Sequence, residues 1–302
     1  MILTITLNLS IDRTLKIERL SRGKTNRVEI ISSLPGGKGI NVARCIKSLG
    51  GDVYVTGFKG GKIGEYIESS LLKEDITPIL FEIEEDSRIC NIVIEKDGTI
   101  TEIYERGPKI SQEEKHGFLN FLKGLKKRFS HVVISGSVPV GLDYEYYRKI
   151  VSLLKEKKVF IDFKGKSLVE ALKEKPYFVK INEEEFKATF GKEPERALGK
   201  IAEEHGVEIF SVTLGEKGAL ACFNKKLFHV YSNFKLNVVN PVGAGDSFMG
   251  GFVYSDFLNK DIFISLKTAL ACAMSNTTLF EGGKANLKIL NEIFNSVIIE
   301  EV

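Results

Sequence analysis

Short apolar runs separated by amphipathic helical stretches constrain this chain more than any other feature. His131 to Ser135 (HVVIS) is too short for a core helix and reads as a buried strand. Asp143 to Lys157 follows, with Tyr147, Ile150, Val151 and Leu154 at helical spacing. Val159 to Phe163 (VFIDF), Tyr177 to Ile181 (YFVKI) and Glu208 to Leu214 (EIFSVTL) repeat the strand pattern. Upstream, Asp52 to Phe58 reads as a strand and Gly64 to Leu72 as a helix; from Gly245 the chain reads as mostly helical. Strands buried on both faces are apolar throughout, and helices between them make neighbours parallel. The pattern predicts an α/β fold with a mostly parallel central sheet flanked by helices.

Two stretches break the rhythm. Thr14 to Leu34 alternates weakly, with Val28, Ile30 and Leu34 opposite Glu29. Arg88 to Glu105 reads as a hairpin turning at Asp97-Gly98. They form either a small antiparallel sheet of their own or edge strands of the main one. With 302 residues the chain has room for such an appendage and needs no disulfides to build a core.

Composition excludes several classes. A net charge of +3 is too small to argue for nucleic acid or a membrane surface. No apolar run approaches the ~20 residues of a membrane helix, and Met1 to Leu9 lacks a basic leader, so a cytoplasmic location is expected. The four cysteines and four histidines show no ligand spacing and read as structural or surface residues.

Chemistry concentrates in two glycine-rich segments. In Asn240-Pro-Val-Gly-Ala-Gly-Asp246, residues Gly243, Ala244 and Gly245 lie at a loop-to-helix junction, with Ser247 onward able to be helical. Free N–H groups and the helix dipole there suit an anion. Asp246 beside that cradle is either a helix cap or a base for an attacking hydroxyl. In Leu34-Pro-Gly-Gly-Lys-Gly-Ile-Asn41-Val-Ala43, Gly36, Gly37 and Gly39 let backbone approach a polar ligand. Asn41 can bond hydroxyls and Lys38 can reach a charge. Neither a Walker A loop nor protein-kinase signatures occur, and this loop lacks the dinucleotide fingerprint.

Together, P-G-G-K-G-x-N-V-A and G-A-G-D-S-F, about 200 residues apart and in this order, resemble the two signatures of the phosphofructokinase B (PfkB) family. The family belongs to the ribokinase-like carbohydrate kinases, and the resemblance spans nearly the whole chain. It implies a large α/β domain (1–13, 35–86 and 108–302) and a small β-sheet lid (14–34 and 87–107) over the sugar. ATP and Mg²⁺ are the implied cofactors. By the same resemblance Asp246 is the base, and the amides of Gly243, Ala244 and Gly245 stabilise the transferring phosphoryl group. Asn182 and Glu185 match the family's N-x-x-E segment and hold Mg²⁺ through water; Lys180 and Asn182 lie with the nucleotide. Thr213, Gly215 and Gly218 resemble the nucleotide loop, and Asn276 is either by the adenine or a residue of core or surface packing. Asp12 and Ser137 match acceptor contacts, joined by Gly36, Gly37, Lys38 and Asn41. Arg27 and Arg88 match arginines that meet the substrate's own phosphate, which Lys38 is also expected to hold.

There are departures. Asp162-Phe-Lys164-Gly165 stands where phosphosugar kinases often show D-x-S-G, so Lys164 either adds a phosphate contact or is tolerated. Thr25 replaces the lysine of 6-phosphofructokinases, while Lys38 is typical of 1-phosphofructokinases and tagatose-6-phosphate kinases. The expected reaction is therefore ATP-dependent phosphorylation of fructose 1-phosphate. Tagatose 6-phosphate and fructose 6-phosphate are the alternatives, and a non-catalytic sugar-phosphate sensor is the alternative of another class. A homodimer through the lid is implied; nucleic-acid and membrane partners are not.

Overall fold

The computed structural model describes residues 1–302. Its central sheet has ten strands. Thr77–Pro78, Val53–Thr56, Ile2–Ile5, His131–Ser135, Lys158–Asp162, Phe178–Asn182 and Ile209–Thr213 run parallel in that spatial order. Ala219–Phe223, Lys226–Ser232 and Val297–Glu301 extend the sheet antiparallel. Both faces are covered. Leu3, Ile5, Val132 and Ile134 belong to one core, whereas Ile2, Val133, Phe160 and Phe178 belong to the other. That two-sided burial is why the strands read as continuous apolar runs rather than alternating ones.

Element boundaries differ modestly from the sequence reading. The helix expected over Asp143 to Lys157 spans Glu145–Leu153. The C-terminal third holds three helices, Ala244–Phe257, Ile262–Asn276 and Leu287–Ser296, but ends in the edge strand Val297–Glu301. The helix at the second glycine segment starts at Ala244 rather than Ser247. Gly243 absorbs the turn with φ 79°, so helical geometry begins at once.

The two off-rhythm stretches form a sheet of their own, in the order Glu29–Gly36, Ser10–Ile17, Arg88–Glu95, Ile100–Tyr104. They are not edge strands of the main sheet. Ser10–Ile17 pairs parallel with Arg88–Glu95 and antiparallel with Glu29–Gly36; the first and last of these strands extend beyond the segment 14–34, whereas Arg88–Glu95 lies within 87–107. At the hairpin turn Gly98 takes φ 88°, and the Thr99 amide donates to Asp97 Oδ1 at 2.9 Å.

The N-terminal ends of the central strands are closed by Asp256, which accepts from His131 Nε2, Lys158 Nζ and Tyr177 Oη. His131 is thus a structural residue, and all four cysteines are buried and free. The C-terminal ends stay open to ligand, as in other open α/β sheets. No helix is long and apolar enough to cross a membrane.

Candidate active site

The helix Ala244–Phe257 presents its N-terminus to the open ends of the strands. The amides of Gly243 and Gly245 have no partner in the protein, and that of Ala244 reaches only Pro241 O at 3.3 Å. A Cβ on Gly245 would stand 2.7 Å from Lys180 Nζ, so glycine is what lets this ammonium sit against the helix start. Unbonded N–H groups, a helix dipole and a lysine together make a strong anion site.

Asp246 lies in the first turn of this helix and is 7% exposed. It is not a capping residue: its Oδ2 accepts from Asn41 Nδ2 at 2.8 Å, across 205 residues of sequence. Burial and the nearby Asp162 carboxylate push its pKa up to about 6, against the pull of Lys38, Lys180 and the Asn41 amide. A carboxylate so tuned is ionised at neutral pH yet basic enough to take a hydroxyl proton.

Asp162 ends the strand Lys158–Asp162 and is fully buried. Its Oδ1 accepts from Lys38 Nζ at 2.9 Å and its Oδ2 from Lys180 Nζ at 2.8 Å. Burial opposes its charge, but the two ammonium groups prevail and hold its pKa low. Lys38 reaches Glu185 Oε1 as well, at 3.4 Å, and its pKa is raised; desolvation is outweighed by Asp162, Asp246 and Glu185.

A cavity of about 700 Å³ opens in front of these groups, walled by both sheets. Asp12, Arg88 and Tyr104 come from the small sheet; Asn8 and Ser137 come from loops, and Lys38, Asn41 and Glu185 from helices, that follow strands of the larger domain or the small sheet. Asp12 is aimed by Ser10 Oγ, which donates to its Oδ1 at 2.8 Å. Burial raises the Asp12 pKa, with Ser10, Arg44 and Arg88 working against the rise. Asn8 Nδ2 donates to Ser137 Oγ at 3.1 Å. A Cβ on Gly36 would fall 2.1 Å from Asp12 Cγ. Gly36→Ala is therefore expected to swing Asp12 aside and raise KM for the acceptor about tenfold or more, the loss of one hydrogen bond to a charged group. KM for ATP should stay within twofold, and steady-state kinetics with each substrate varied in turn would test the split.

Arg27 does not line the cavity. It is exposed, in the segment between two strands of the small sheet. Asn26 closes that segment into a local turn by accepting from the Ser21 amide and donating to Ser21 O and Lys24 O.

The nucleotide-side residues divide. Asn182 and Glu185 form a capping box on the helix Glu183–Phe190: Asn182 Oδ1 accepts from the Glu185 amide at 2.7 Å, and Glu185 Oε2 from the Asn182 amide at 3.2 Å. Glu185 Oε1 remains turned toward Lys38 and the cavity. Nowhere do three His, Cys, Asp or Glu side chains converge as a metal cage. One carboxylate oxygen facing the cavity, here shared with Lys38, fits Mg²⁺, which keeps most of its waters and takes its other ligands from phosphates. Thr213 ends the last parallel strand and Gly215 and Gly218 follow it, all outside the cavity, with the two glycines at φ 61° and 89°.

Asn276 is not presented to a ligand. It is fully buried, its Oδ1 accepting from Ser247 Oγ, Gly283 N and Lys284 N while Nδ2 donates to Val242 O. Its work is to tie residues 242 and 283 to the start of the Asp246 helix.

Two site residues are not singled out by the motifs, although each sits in a visible signal. Asp162 is a carboxylate inside the apolar run VFIDF and at the D-x-S-G position, and Asn8 lies four residues before Asp12.

Unbonded amides beside a hydroxyl-binding cavity and a carboxylate poised to take a proton belong to enzymes that move a phosphoryl group onto an alcohol. Residues 5–287 match the model of the pfkB family carbohydrate kinases, and the chain belongs to that family. It is a phosphotransferase acting on a sugar hydroxyl, with a ribokinase-like fold. A solved structure from Thermotoga maritima, described as a possible 1-phosphofructokinase, is 27% identical with a TM-score of 0.84, covering 100% of this chain and 99% of that one. Phosphofructokinase-2 from Escherichia coli, with bound potassium, superposes at a TM-score of 0.89 over 97% of this chain and 98% of that one, at 24% identity. Ribokinase from Thermotoga maritima superposes at 0.78 over 97% and 99%, at 20% identity.

Proposed function

We propose that the chain phosphorylates the 6-hydroxyl of fructose 1-phosphate with ATP. The observation that carries an already phosphorylated acceptor is Arg88. Its buried Nε has no partner, and its only bond is from Nη1 to Glu105 O at 3.2 Å. An unmatched guanidinium in a cavity wall calls for an anion, and its planar fork suits phosphate. Lys164, exposed and also on the wall, can share that charge.

In this reading Asp12, Asn8 and Ser137 hold the sugar hydroxyls. Asp246 takes the proton of the attacking one. The N–H groups of Gly243, Ala244 and Gly245, with Lys180, stabilise the charge on the phosphoryl group in flight. Glu185 Oε1 and Asn182 would hold the waters of a bound Mg²⁺, which would supply charge neutralisation at the nucleotide phosphates. The small sheet acts as a lid that keeps water from competing with the sugar. Its exposed Ile30, Ile100 and Ile103 favour pairing with a second copy, and light scattering at micromolar concentration gives the subunit count.

A coupled ADP-release assay tests the substrate against fructose 1-phosphate, fructose 6-phosphate, tagatose 6-phosphate and fructose. The expected result is the highest kcat/KM with fructose 1-phosphate, and a ~10²-fold loss in Arg88→Ala that free fructose does not show. A 6-phosphate turned over best would keep the chemistry and replace the substrate. Binding of all three phosphates without turnover would point to a sensor.

A further inference from the structure

The geometry points to Arg44, held by Glu74, as the lock that makes Asn41 a one-way hydrogen-bond donor to Asp246. The inference rests on Asp246 being the base of the proposed reaction. Arg44 is 4% exposed, on the helix Lys38–Ser48 and three residues from Asn41. Its Nη1 donates to Asn41 Oδ1 at 3.0 Å. Nε and Nη2 form a fork onto the two carboxylate oxygens of Glu74, and Nη2 also bonds Pro35 O. Glu74 caps the C-terminal end of the helix Gly61–Lys73, so the fork is anchored on a separate element.

A guanidinium has only donors. The atom of Asn41 that faces it must be the oxygen, which leaves Nδ2 for Asp246. An unlocked amide would serve both protonation states of Asp246, donating Nδ2–H to the carboxylate or, flipped, accepting O–H from the acid. With Oδ1 taken by Arg44, only the ionised state is served. The other charged groups around Asp246, namely Asp162, Lys38 and Lys180, bond one another or Glu185 and make no hydrogen bond to the Asn41 amide. Arg44 is a positioning residue: it reaches no reacting atom and acts through Asn41.

Four variants test this: Arg44→Met, Glu74→Gln, Asn41→Ala and the Arg44→Met/Asn41→Ala double. The first readout is the carboxyl titration of Asp246 by ¹³C NMR in the ligand-free protein, its resonance identified by loss in Asp246→Asn. Arg44→Met and Asn41→Ala should each raise the midpoint by about one pH unit, the worth of a hydrogen bond to a charged group. The double variant should move it no further than Asn41→Ala alone. In turnover, a base moved from about pH 6 to about 7 lowers kcat/KM about fivefold at pH 6 and hardly at pH 8. A merely structural loss would lower activity equally at both.

A direct field of the guanidinium on Asp246 would persist in the Asn41→Ala background and so overturn the lock. An unchanged midpoint in Arg44→Met overturns it too. If Arg44→Met does not fold, Glu74→Gln decides: an upward shift supports the lock and a wild-type midpoint removes it. Absence of turnover with every sugar would refute the proposed reaction while leaving the titration to judge the lock.

Discussion

Asp246→Asn is expected to lower turnover about 10²–10⁴-fold, the usual worth of a positioned base, while making the protein more stable. The two effects share one cause. Burial and Asp162 raise the Asp246 pKa from 3.8 to about 6. A group whose pKa rises on folding favours the native state below its unfolded pKa, and that advantage is lost as pH climbs through the folded value. Above about pH 6 the folded enzyme therefore carries a charge that costs of order 1–3 kcal/mol to bury. An uncharged asparagine removes the cost. Melting curves at pH 8 should show Asp246→Asn above wild type, with the gap closing toward pH 4. In wild type, kcat/KM should fall with an acid limb near pH 6. A fully active Asp246→Asn enzyme, or one with no stability gain at pH 8, would remove the assignment.

Asp162→Asn should do the opposite to stability. The carboxylate neutralises Lys180, which is 3% exposed, and holds Lys38 beside it. Breaking such a buried cluster by deleting one partner costs about 3–5 kcal/mol, so Tm should drop by roughly 5–15 °C. The Asp162 pKa is held below its ordinary value, so its contribution is complete at neutral pH and disappears as pH falls below about 4. Its removal also strips Asp246 of a negative neighbour and leaves two cations near it. The acid limb of kcat/KM should therefore slide below pH 6, opposite to the shift expected for Asn41→Ala. A pH–rate profile unmoved in Asp162→Asn would mean the two carboxylates do not sense each other.

Much of this was legible from local pattern. The run His131–Ser135 is a strand with the boundaries read from sequence, because five apolar-flanked residues between turns leave little else. The Asp97-Gly98 turn and the glycine-to-helix junction at Gly243 carry their backbone requirement in the residue type. The strand Val297–Glu301 was hidden because VIIEE is short and half exposed at a sheet edge. Pairings across the fold left no trace. Asn41 looked like a sugar ligand, yet its amide meets Asp246, 205 residues away. Arg27 and Arg88 looked alike as arginines of the small sheet, and only register and the Asn26 turn tell the cavity wall from the open loop. Asn276 stayed open between ligand contact and packing, because nothing local reveals the four internal bonds that decide for packing.

The helix Ala244–Phe257 carries the base at its tip and Phe248, Met249, Phe252 and Val253 in the core behind it. The cavity groups from Asn8 to Glu185 all precede it in the chain. During synthesis these groups thus leave the ribosome first and the proposed base leaves later. Asp246 acquires its raised basicity only when its helix is seated and the carboxylate is buried. A half-made chain therefore has no tuned base, and competence for the proposed reaction arrives in the same event that closes the core.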